Sequence, residues 1–280
     1  PKRIEPLVEE GLVDEVVCQL MSGKEALVYV VRCGQDIRCA KVYKEAHARS
    51  FRKSVDYIEG RRDKNSRRAR AMEKGTRYGR RAQEDTWRSV EADSLCRLAA
   101  SGVRVPQPYN FFEGVLLMEL VTDANGNAAP RLNDLVLTAE KSREYHRTLI
   151  RQVVRMLCAG IVHGDLSEYN VLAGSDGLVI IDLPQAIGAA SNNNARSMLI
   201  RDIENLTGYF GRFAPELLST DYGREIWSLY QCGKLHPDIT LTGNPEPSKK
   251  PVDVAGVIRV VDAVLKKEAA WQRYKQEMQG

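Results

Sequence analysis

The sequence predicts an α+β fold of two lobes, in which an antiparallel sheet with one helix precedes a small, mainly helical lobe. The runs with strand character at 26–30, 37–43 and 111–121, which would form the sheet, lie in the first 121 residues. The long amphipathic helical runs (138–159, 199–213 and 252–278) all lie in the remainder. A chain of 280 residues with 43% hydrophobic residues is also long enough to bury a core in each of two lobes.

Composition and cysteine spacing exclude several classes of protein. No apolar run approaches the roughly 18 residues of a membrane span, and the N-terminus has no signal-peptide pattern. The six Cys are scattered without a CxxC pair or a Cys-His cluster, which argues against a zinc site and against a disulfide framework. Scattered thiols are typical of a reducing compartment, so we expect a cytoplasmic protein that does not contact a membrane.

The first lobe begins with residues 4–20, which predict a short helix and then a strand. A turn at Ser22, Gly23 and Lys24 follows, ahead of the alternating apolar run 26–30. A hydroxyl and exposed backbone N–H groups in such a turn bind phosphate oxygens, so these three residues are candidates for nucleotide binding. An ordinary turn between strands is the alternative interpretation.

Lys41 lies in the middle of the predicted strand 37–43, among apolar residues. A buried lysine is costly unless a carboxylate pairs with it. The predicted helix 85–100 offers Glu91 beside its apolar stripe, so we expect a Lys41–Glu91 ion pair that helps to hold nucleotide phosphates. Two solvated surface charges are the alternative.

A basic segment separates that strand from that helix. Between residues 61 and 81, ten Lys or Arg face two acidic residues, a local balance of +8. Because the whole chain carries +4, the remainder is negative. The charge density of 47–84 predicts a flexible insertion, and contact with RNA, a ribosomal particle or another polyanion is the alternative.

The predicted hairpin 111–121 ends where a polar connection begins, at 119–131. We expect this connection to be the hinge between the lobes, with backbone groups of Glu119 and Val121 meeting the edge of an adenine ring. A helix over 138–159 follows, with Thr138 as N-cap and Gly160 as the terminator. It delivers the chain into residues 161–182.

The stretch 161–182 carries the strongest chemical signal in the sequence. Asp165 and Asn170 are separated by four residues, and Asp182 follows a short apolar run. The turn 174–177 divides two strand-like runs, so a hairpin would bring Asn170 and Asp182 to one edge beside Asp165. Oxygen-bearing side chains arranged in this way suit magnesium and a phosphate chain. An ordinary hairpin with solvated polar ends is the alternative.

The same spacing matches the catalytic loop of protein kinases, Asp-x-x-x-x-Asn followed by an Asp at a strand end. In that scheme Asp165 accepts the proton of the attacking hydroxyl, while Asn170 and Asp182 hold magnesium. We expect His163 to be a structural anchor. Ala214-Pro215-Glu216 spells a kinase activation-segment motif, which we interpret as coincidence because a predicted helix occupies the preceding residues.

Over nearly its whole length the chain resembles the RIO-type atypical serine/threonine protein kinases, in a compact bacterial-type branch. The resemblance is carried by SGKEALVY (22–29), AKVYK (40–44), the arginine-rich insertion, MELV (118–121), HGDLSEYNVL (163–172) and IDLPQA (181–186). It implies a protein-kinase-like fold with an N-lobe at 1–118, a hinge at 119–131 and a reduced C-lobe at 132–280. It also implies Mg-ATP as substrate, with Mn²⁺ as an alternative ion, and autophosphorylation on serine.

The resemblance assigns the site residues in the same way: Asp165 as base, Asn170 and Asp182 as metal ligands, Lys41 and Glu91 as the ion pair. Some RIO relatives act chiefly as ATPases that pass phosphate to the metal-binding Asp, which would make Asp182 the acceptor. Archaeal and eukaryotic members assist maturation of the small ribosomal subunit.

Two other functions compete with protein phosphorylation. Aminoglycoside and choline phosphotransferases share the HGD…N arrangement, but IDLPQA and the arginine-rich insertion argue against a small-molecule substrate. A nucleotide-gated module on RNA or ribosomal particles would instead use the basic segment 61–81, with steeply salt-dependent binding.

Overall fold

The structure, a computed structural model, describes residues 2–23, 26–44 and 91–244. The predictions for Lys24, for the insertion 47–84 and for the helix 252–278 lie outside these residues. Within them, the predicted fold class is confirmed, because an antiparallel sheet with a helix precedes a mainly helical part.

The N-terminal part is a five-stranded antiparallel sheet with strand order β1-β2-β3-β5-β4. A short helix α1 (Glu5–Glu9) precedes it, and a second helix, α2, is described over 91–100. The strands are β1 (Glu15–Ser22), β2 (Ala26–Cys33), β3 (Asp36–Tyr43), β4 (Pro108–Phe112) and β5 (Val115–Glu119).

The period of two along a strand gives this sheet two different faces. On β3, Ala40 and Val42 pack with the α1 segment, in a cluster that also contains Leu117 of β5. Tyr43 belongs instead to the main core, which includes Leu95 and other residues of α2. Lys41 shares the face of Tyr43 because the two residues lie two positions apart. The strand therefore directs both side chains towards α2.

The C-terminal part consists of helices and two small two-stranded sheets. The elements are α3 (Ala139–Cys158), β6 (Ile161–Val162), β7 (Val171–Gly174), β8 (Gly177–Ile180), β9 (Ile187–Gly188), α4 (Ala195–Gly211) and α5 (Tyr222–Gln231). Short 3₁₀ helices occur at Leu132–Asp134, Glu168–Asn170 and Pro215–Ser219. Among the helices that the structure describes, none has the length and apolar character needed to cross a bilayer.

α3 begins and ends where its sequence predicts. The Thr138 hydroxyl accepts a hydrogen bond from the Lys141 N–H at 3.2 Å, which satisfies one of the amides left open at the helix start. Gly160 follows the helix with φ +74°, a left-handed conformation that glycine adopts without strain. Leu149, Val153 and Met156 are buried in the main core. This helix therefore anchors the chain immediately before residues 161–182.

The structure corrects several predicted boundaries. The second long helix begins at Ala195, not at 199, so the four residues before the predicted start are helical. The asparagines just before the helix form a turn, in which the Asn192 side chain accepts from the Asn194 N–H at 2.8 Å. Ser22 pairs with Leu27 as the last residue of β1, because the antiparallel ladder continues into the predicted turn.

Candidate active site

Lys41 lies between two carboxylates from different parts of the chain, and the space around these three side chains is called the cleft below. Its ammonium nitrogen is 2.7 Å from Glu91 Oε1 of α2 and 2.7 Å from Asp182 Oδ1, after β8. Burial by itself would lower the pKa of Lys41, but the charges of Asp182 and Glu91 outweigh it and hold the pKa well above its usual value. Lys41 is therefore a permanent cation that links the sheet, α2 and residue 182.

Glu91 receives three contacts that fix its carboxylate. Besides Lys41, the Tyr43 hydroxyl donates to Oε2, and the Leu183 N–H donates to Oε1 at 3.3 Å. Burial and the charge of Glu91 raise the pKa of Tyr43 well above its usual value, so the phenol keeps its proton. The side chain of Glu91 is only 4% exposed, and these donors compensate for the burial of its charge.

Asp182 combines an unusual backbone conformation with an accessible carboxylate. Its φ is +66°, a left-handed conformation that costs a non-glycine residue of order 1–3 kcal/mol and that clusters at functional sites. The side chain is 47% exposed despite its contact with Lys41. The charge of Lys41 lowers the pKa of Asp182, so the residue remains a carboxylate at neutral pH. One face of this carboxylate can therefore accept a second cation.

The predicted hairpin forms and places Asn170 opposite Ile181, the residue before Asp182, although Asn170 ends a 3₁₀ helix and does not start a strand. Val171 pairs with Ile180 in the β7–β8 ladder, and the Ile181 N–H donates to the Asn170 carbonyl at 3.0 Å. The Asn170 side-chain nitrogen donates to the backbone oxygen of Asp165 at 2.8 Å. That bond leaves the amide oxygen of Asn170 as the atom able to face a cation.

Asp165 is exposed at the centre of this group. The Gln185 amide donates to its Oδ2 at 3.2 Å, from the IDLPQA stretch that follows Asp182. Its backbone N–H donates to His163 Nδ1 at 3.3 Å, and His163 Nε2 lies 3.1 Å from the Ile181 carbonyl. His163 is buried and lies behind the loop, an arrangement that fits a structural anchor.

Asp202 of α4 holds the backbone on both sides of Asp165. The N–H groups of Gly164 and Leu166, on either side of Asp165, donate to its two carboxylate oxygens at 2.8 and 3.0 Å. Burial raises the pKa of Asp202 to about 6, although nearby His163 and the two amides oppose the rise. Because the two amides flank Asp165, Asp202 fixes the direction in which Asp165 faces.

The predicted phosphate turn is only partly described. The Gly23 N–H donates to the Ala26 carbonyl at 2.9 Å, so that amide is engaged within the turn. The Lys44 ammonium donates to the Gly23 carbonyl at 2.7 Å and so holds the turn from β3. Ser22 is paired in β1, and Lys24 lies outside the described residues. The described part of the turn therefore gives no direct evidence that Ser22 or Gly23 binds phosphate.

The predicted hinge is held by an ion pair. Both oxygens of Glu119 accept from the Arg104 guanidinium, at 2.7 and 2.8 Å. The side-chain hydrogen bonds from Arg104 lower the pKa of Glu119. The Glu119 N–H donates to the Gln107 carbonyl at 2.8 Å, and the Val121 carbonyl accepts from the Ala129 N–H at 2.9 Å. These bonds fix the backbone where the connection 119–131 begins.

The donor set suits a hard cation that keeps other ligands. Within the described ranges no group of three or more His, Cys, Asp or Glu side chains forms a ready-made metal site. Mg²⁺ is commonly held by one or two carboxylates together with substrate phosphates and water. The Asp182 carboxylate and the Asn170 amide oxygen fit that pattern. Both are oxygen ligands, and neither supplies the sulfur that soft metals prefer.

Sequence reasoning missed Tyr43, Asp202 and Gln185. The signal for Tyr43 is its position two residues after Lys41, which places both on one face of a strand. Asp202 stands within the apolar stripe of α4, beside Ile203 and one turn from Leu206, where a carboxylate needs dedicated donors. Gln185 gave no comparable signal, because its contact with Asp165 depends on how the chain turns after Asp182.

Comparison with known proteins gives concordant results. The family model described as RIO domain matches residues 27–222. The chain is 36% identical over 211 residues to the RIO-type serine/threonine-protein kinase Rio1 of Haloferax volcanii, covering 74% of this chain and 67% of that protein. It is 32% identical over 193 residues to Rio1 of Methanocaldococcus jannaschii, covering 68% and 61%. With human serine/threonine-protein kinase RIO1 it shares 28% identity over 215 residues, only 36% of that protein.

A solved structure supports the fold. The Rio2 kinase of Chaetomium thermophilum, determined as an ADP/Mg²⁺-phosphoaspartate complex, matches 75% of this chain and 59% of its own chain with a TM-score of 0.54 and 20% identity. The relatives named above are archaeal and eukaryotic, and the expected bacterial-type branch stays a prediction.

Proposed function

The chain belongs to the RIO domain family, and on that premise we propose that it is an ATP- and magnesium-dependent serine/threonine protein kinase that autophosphorylates. The observation that carries the proposal is the Lys41 ammonium, which contacts both Glu91 and Asp182 at 2.7 Å. A buried cation beside an accessible carboxylate is the arrangement that phosphoryl transfer from a nucleotide requires.

Lys41 and Asp182 share the task of holding the phosphates. In the free chain the ammonium neutralises Asp182, and Glu91 anchors it through a second ion pair. Asp182 and Asn170 would hold Mg²⁺, which when bound supplies positive charge that offsets the charge developing on the transferred phosphoryl group. Lys41 would then donate to phosphate oxygens while Glu91 keeps its stem in place.

Asp165 is the proposed general base. Its carboxylate is exposed, and its backbone is held by Asp202 through the Gly164 and Leu166 amides. The proton of an incoming serine or threonine hydroxyl passes to Asp165 as the hydroxyl oxygen attacks the γ-phosphorus. ADP leaves with the electron pair of the broken P–O bond. Gln185 donates to Oδ2 and so orients the carboxylate without removing its ability to accept a proton.

The adenine edge would meet the backbone at Glu119 and Val121. The Glu119 N–H and the Val121 carbonyl are bonded within the protein, so the complementary Glu119 carbonyl and Val121 N–H are the groups proposed for adenine. The bidentate Arg104–Glu119 pair holds this backbone in register. The assignments of Ser22, Gly23 and Lys24 to the phosphates remain predictions.

An ATPase switch that forms an aspartyl phosphate is the second candidate. It is favoured by the 47% exposure and the lowered pKa of Asp182, which leave a charged nucleophile facing the cleft. The Rio2 structure is itself described as a phosphoaspartate complex. Action on RNA or ribosomal particles through 61–81 stays a prediction. A small-molecule phosphotransferase is disfavoured by membership of the RIO family.

One labelling experiment separates these functions. The full chain is incubated with Mg²⁺ and γ-labelled ATP, and label is followed in protein, in free phosphate and in added aminoglycosides or choline. Acid-stable label on serine supports the kinase, and label that hydroxylamine removes supports an aspartyl phosphate. Asp182→Asn should abolish both, whereas Asp36→Asn, which alters an exposed carboxylate paired with Arg38, should abolish neither. Label only in a small molecule would contradict the proposal.

A further inference from the structure

Arg131 holds a fixed place beside the candidate metal ligands. Its backbone pairs with Leu172 in an isolated antiparallel bridge, and the Ala173 N–H donates to the Pro130 carbonyl at 2.9 Å. Leu172 lies two residues after Asn170, so this pairing ties Arg131 to the strand that leaves the proposed metal site. The position of its Cα is therefore set by β7, whatever its side chain does.

The side chain of Arg131 reaches to β1. Its Nη2 lies 3.0 Å from the sulfur of Met21, the residue before Ser22 and the phosphate turn. A thioether is a weak acceptor for a charged donor. The Nε atom is buried and has no hydrogen-bond partner within the described part of the chain. The guanidinium has five N–H donors, yet one of them contacts only a thioether and the buried Nε has no partner among the described residues. Buried polar atoms normally have a hydrogen-bond partner.

The charge of Arg131 also acts on the cleft. Lys41 has the largest effect in lowering the pKa of Asp182, and the charges of His163 and Arg131 add smaller effects in the same direction. The Arg131 side chain thus contacts the residue before the phosphate turn, and its charge also lowers the pKa of the proposed metal ligand Asp182. The guanidinium is therefore a candidate donor to a phosphate chain bound near Ser22 and Asp182.

We propose that Arg131 is a nucleotide-binding residue whose guanidinium leaves the Met21 sulfur and donates to anionic phosphate oxygens when nucleotide enters. The inference rests on the proposed function, and it adds to Lys41 a second cation for the phosphates. A planar guanidinium can give two parallel N–H bonds to one phosphate, which the single ammonium of Lys41 cannot.

A purely structural role makes a different prediction. If Arg131 only fastens β7 to β1, its loss alters the cleft for any adenine compound. If it binds phosphate, its loss affects nucleotides and spares the nucleoside. Adenosine and ADP therefore distinguish the two roles, because both contain adenine and ribose and only ADP contains phosphate.

The test is calorimetric titration of the full chain with Mg-ADP and with adenosine. Arg131→Met keeps the length of the side chain and removes its donors, and it should weaken ADP binding about 10- to 100-fold, as expected for lost bonds to a charged group. Adenosine affinity should stay within about twofold of wild type. Arg131→Lys keeps the charge but loses the paired N–H donors of the guanidinium, so its ADP affinity should lie between those of wild type and Arg131→Met. It also provides the test if Arg131→Met does not fold.

Arg32→Met is the matched control, because Arg32 is an exposed arginine of β2 whose partner is Glu15, and it should bind ADP as the wild type does. Equal losses for ADP and adenosine in Arg131→Met would overturn the phosphate role. Unchanged ADP affinity would overturn the inference alone. Failure of wild type itself to bind ADP would overturn the proposed function and the inference with it.

Discussion

Replacing Lys41 by Met should destabilise the folded chain measurably even without nucleotide. The substitution keeps the length of the stem and removes the cation that pairs with Glu91 and Asp182. Removing one partner of a buried ion pair costs about 3–5 kcal/mol, because the other charge stays buried. Glu91 is 4% exposed but keeps the Tyr43 hydroxyl and the Leu183 amide, so we expect the lower end, about 3 kcal/mol. Asp182, about half exposed, adds little.

The assay is urea unfolding at pH 7 followed by circular dichroism, arranged as a double-mutant cycle. Glu91→Gln in the Lys41→Met background removes the uncompensated charge and should restore more than half of the loss. Arg32→Met breaks an exposed ion pair with Glu15 and should change the free energy of unfolding by less than about 0.5 kcal/mol. A loss below about 0.5 kcal/mol in Lys41→Met, or additive costs in the double variant, would refute the reasoning.

Three further predictions concern the groups around this pair. Burial raises the folded-state pKa of Asp202 to about 6, so its stabilising contribution is complete below about pH 4 and is lost as pH rises through 6. Relative to Asp202→Asn, wild type should lose about 2 kcal/mol of unfolding free energy between pH 4 and 7 in urea titrations, and a constant difference would contradict this. Gln185→Leu removes the donor to Asp165 and should lower the single-turnover rate about 3- to 10-fold at unchanged ADP affinity; a loss of affinity instead would place Gln185 elsewhere in the mechanism. The side-chain hydrogen bonds from Arg104 lower the pKa of Glu119, so their contribution is complete above the ordinary pKa of a glutamate, about 4.3, and is lost as pH falls through the lower folded-state pKa. Arg104→Met should therefore cost about 1 kcal/mol at pH 7 in urea titrations, allowing for partial exposure, and progressively less as pH falls below about 4.

Local patterns were sufficient to predict the elements that carry the site. The apolar run and turn of 171–180 predict the hairpin, and antiparallel pairing then places Asn170 opposite Ile181, the residue before Asp182. Thr138 and Gly160 predict the ends of α3 because capping depends on adjacent residues alone. Lys41 was predicted to need a partner because the cost of burying an amine follows from its strand context.

The sequence could not predict contacts that depend on how distant elements pack. Asp202 meets the amides beside Asp165 across more than thirty residues, and no periodicity encodes that approach. The left-handed backbone of Asp182 and the contact of Arg131 with Met21 likewise arise from tertiary packing. The start of α4 at Ala195 lies four residues before the predicted start, because the asparagines that precede it favour turns and hide where the helix begins.

The assignment of Asp165 as base is tested most directly by single-turnover phosphoryl transfer in Asp165→Asn, measured at saturating Mg-ATP beside the affinity for Mg-ADP. Asn keeps the size of the side chain and lacks the carboxylate that accepts the proton. We expect a rate about 10²- to 10⁴-fold below that of wild type with ADP affinity unchanged, because Asp165 acts on the hydroxyl and not on the nucleotide. Transfer at the wild-type rate would contradict it.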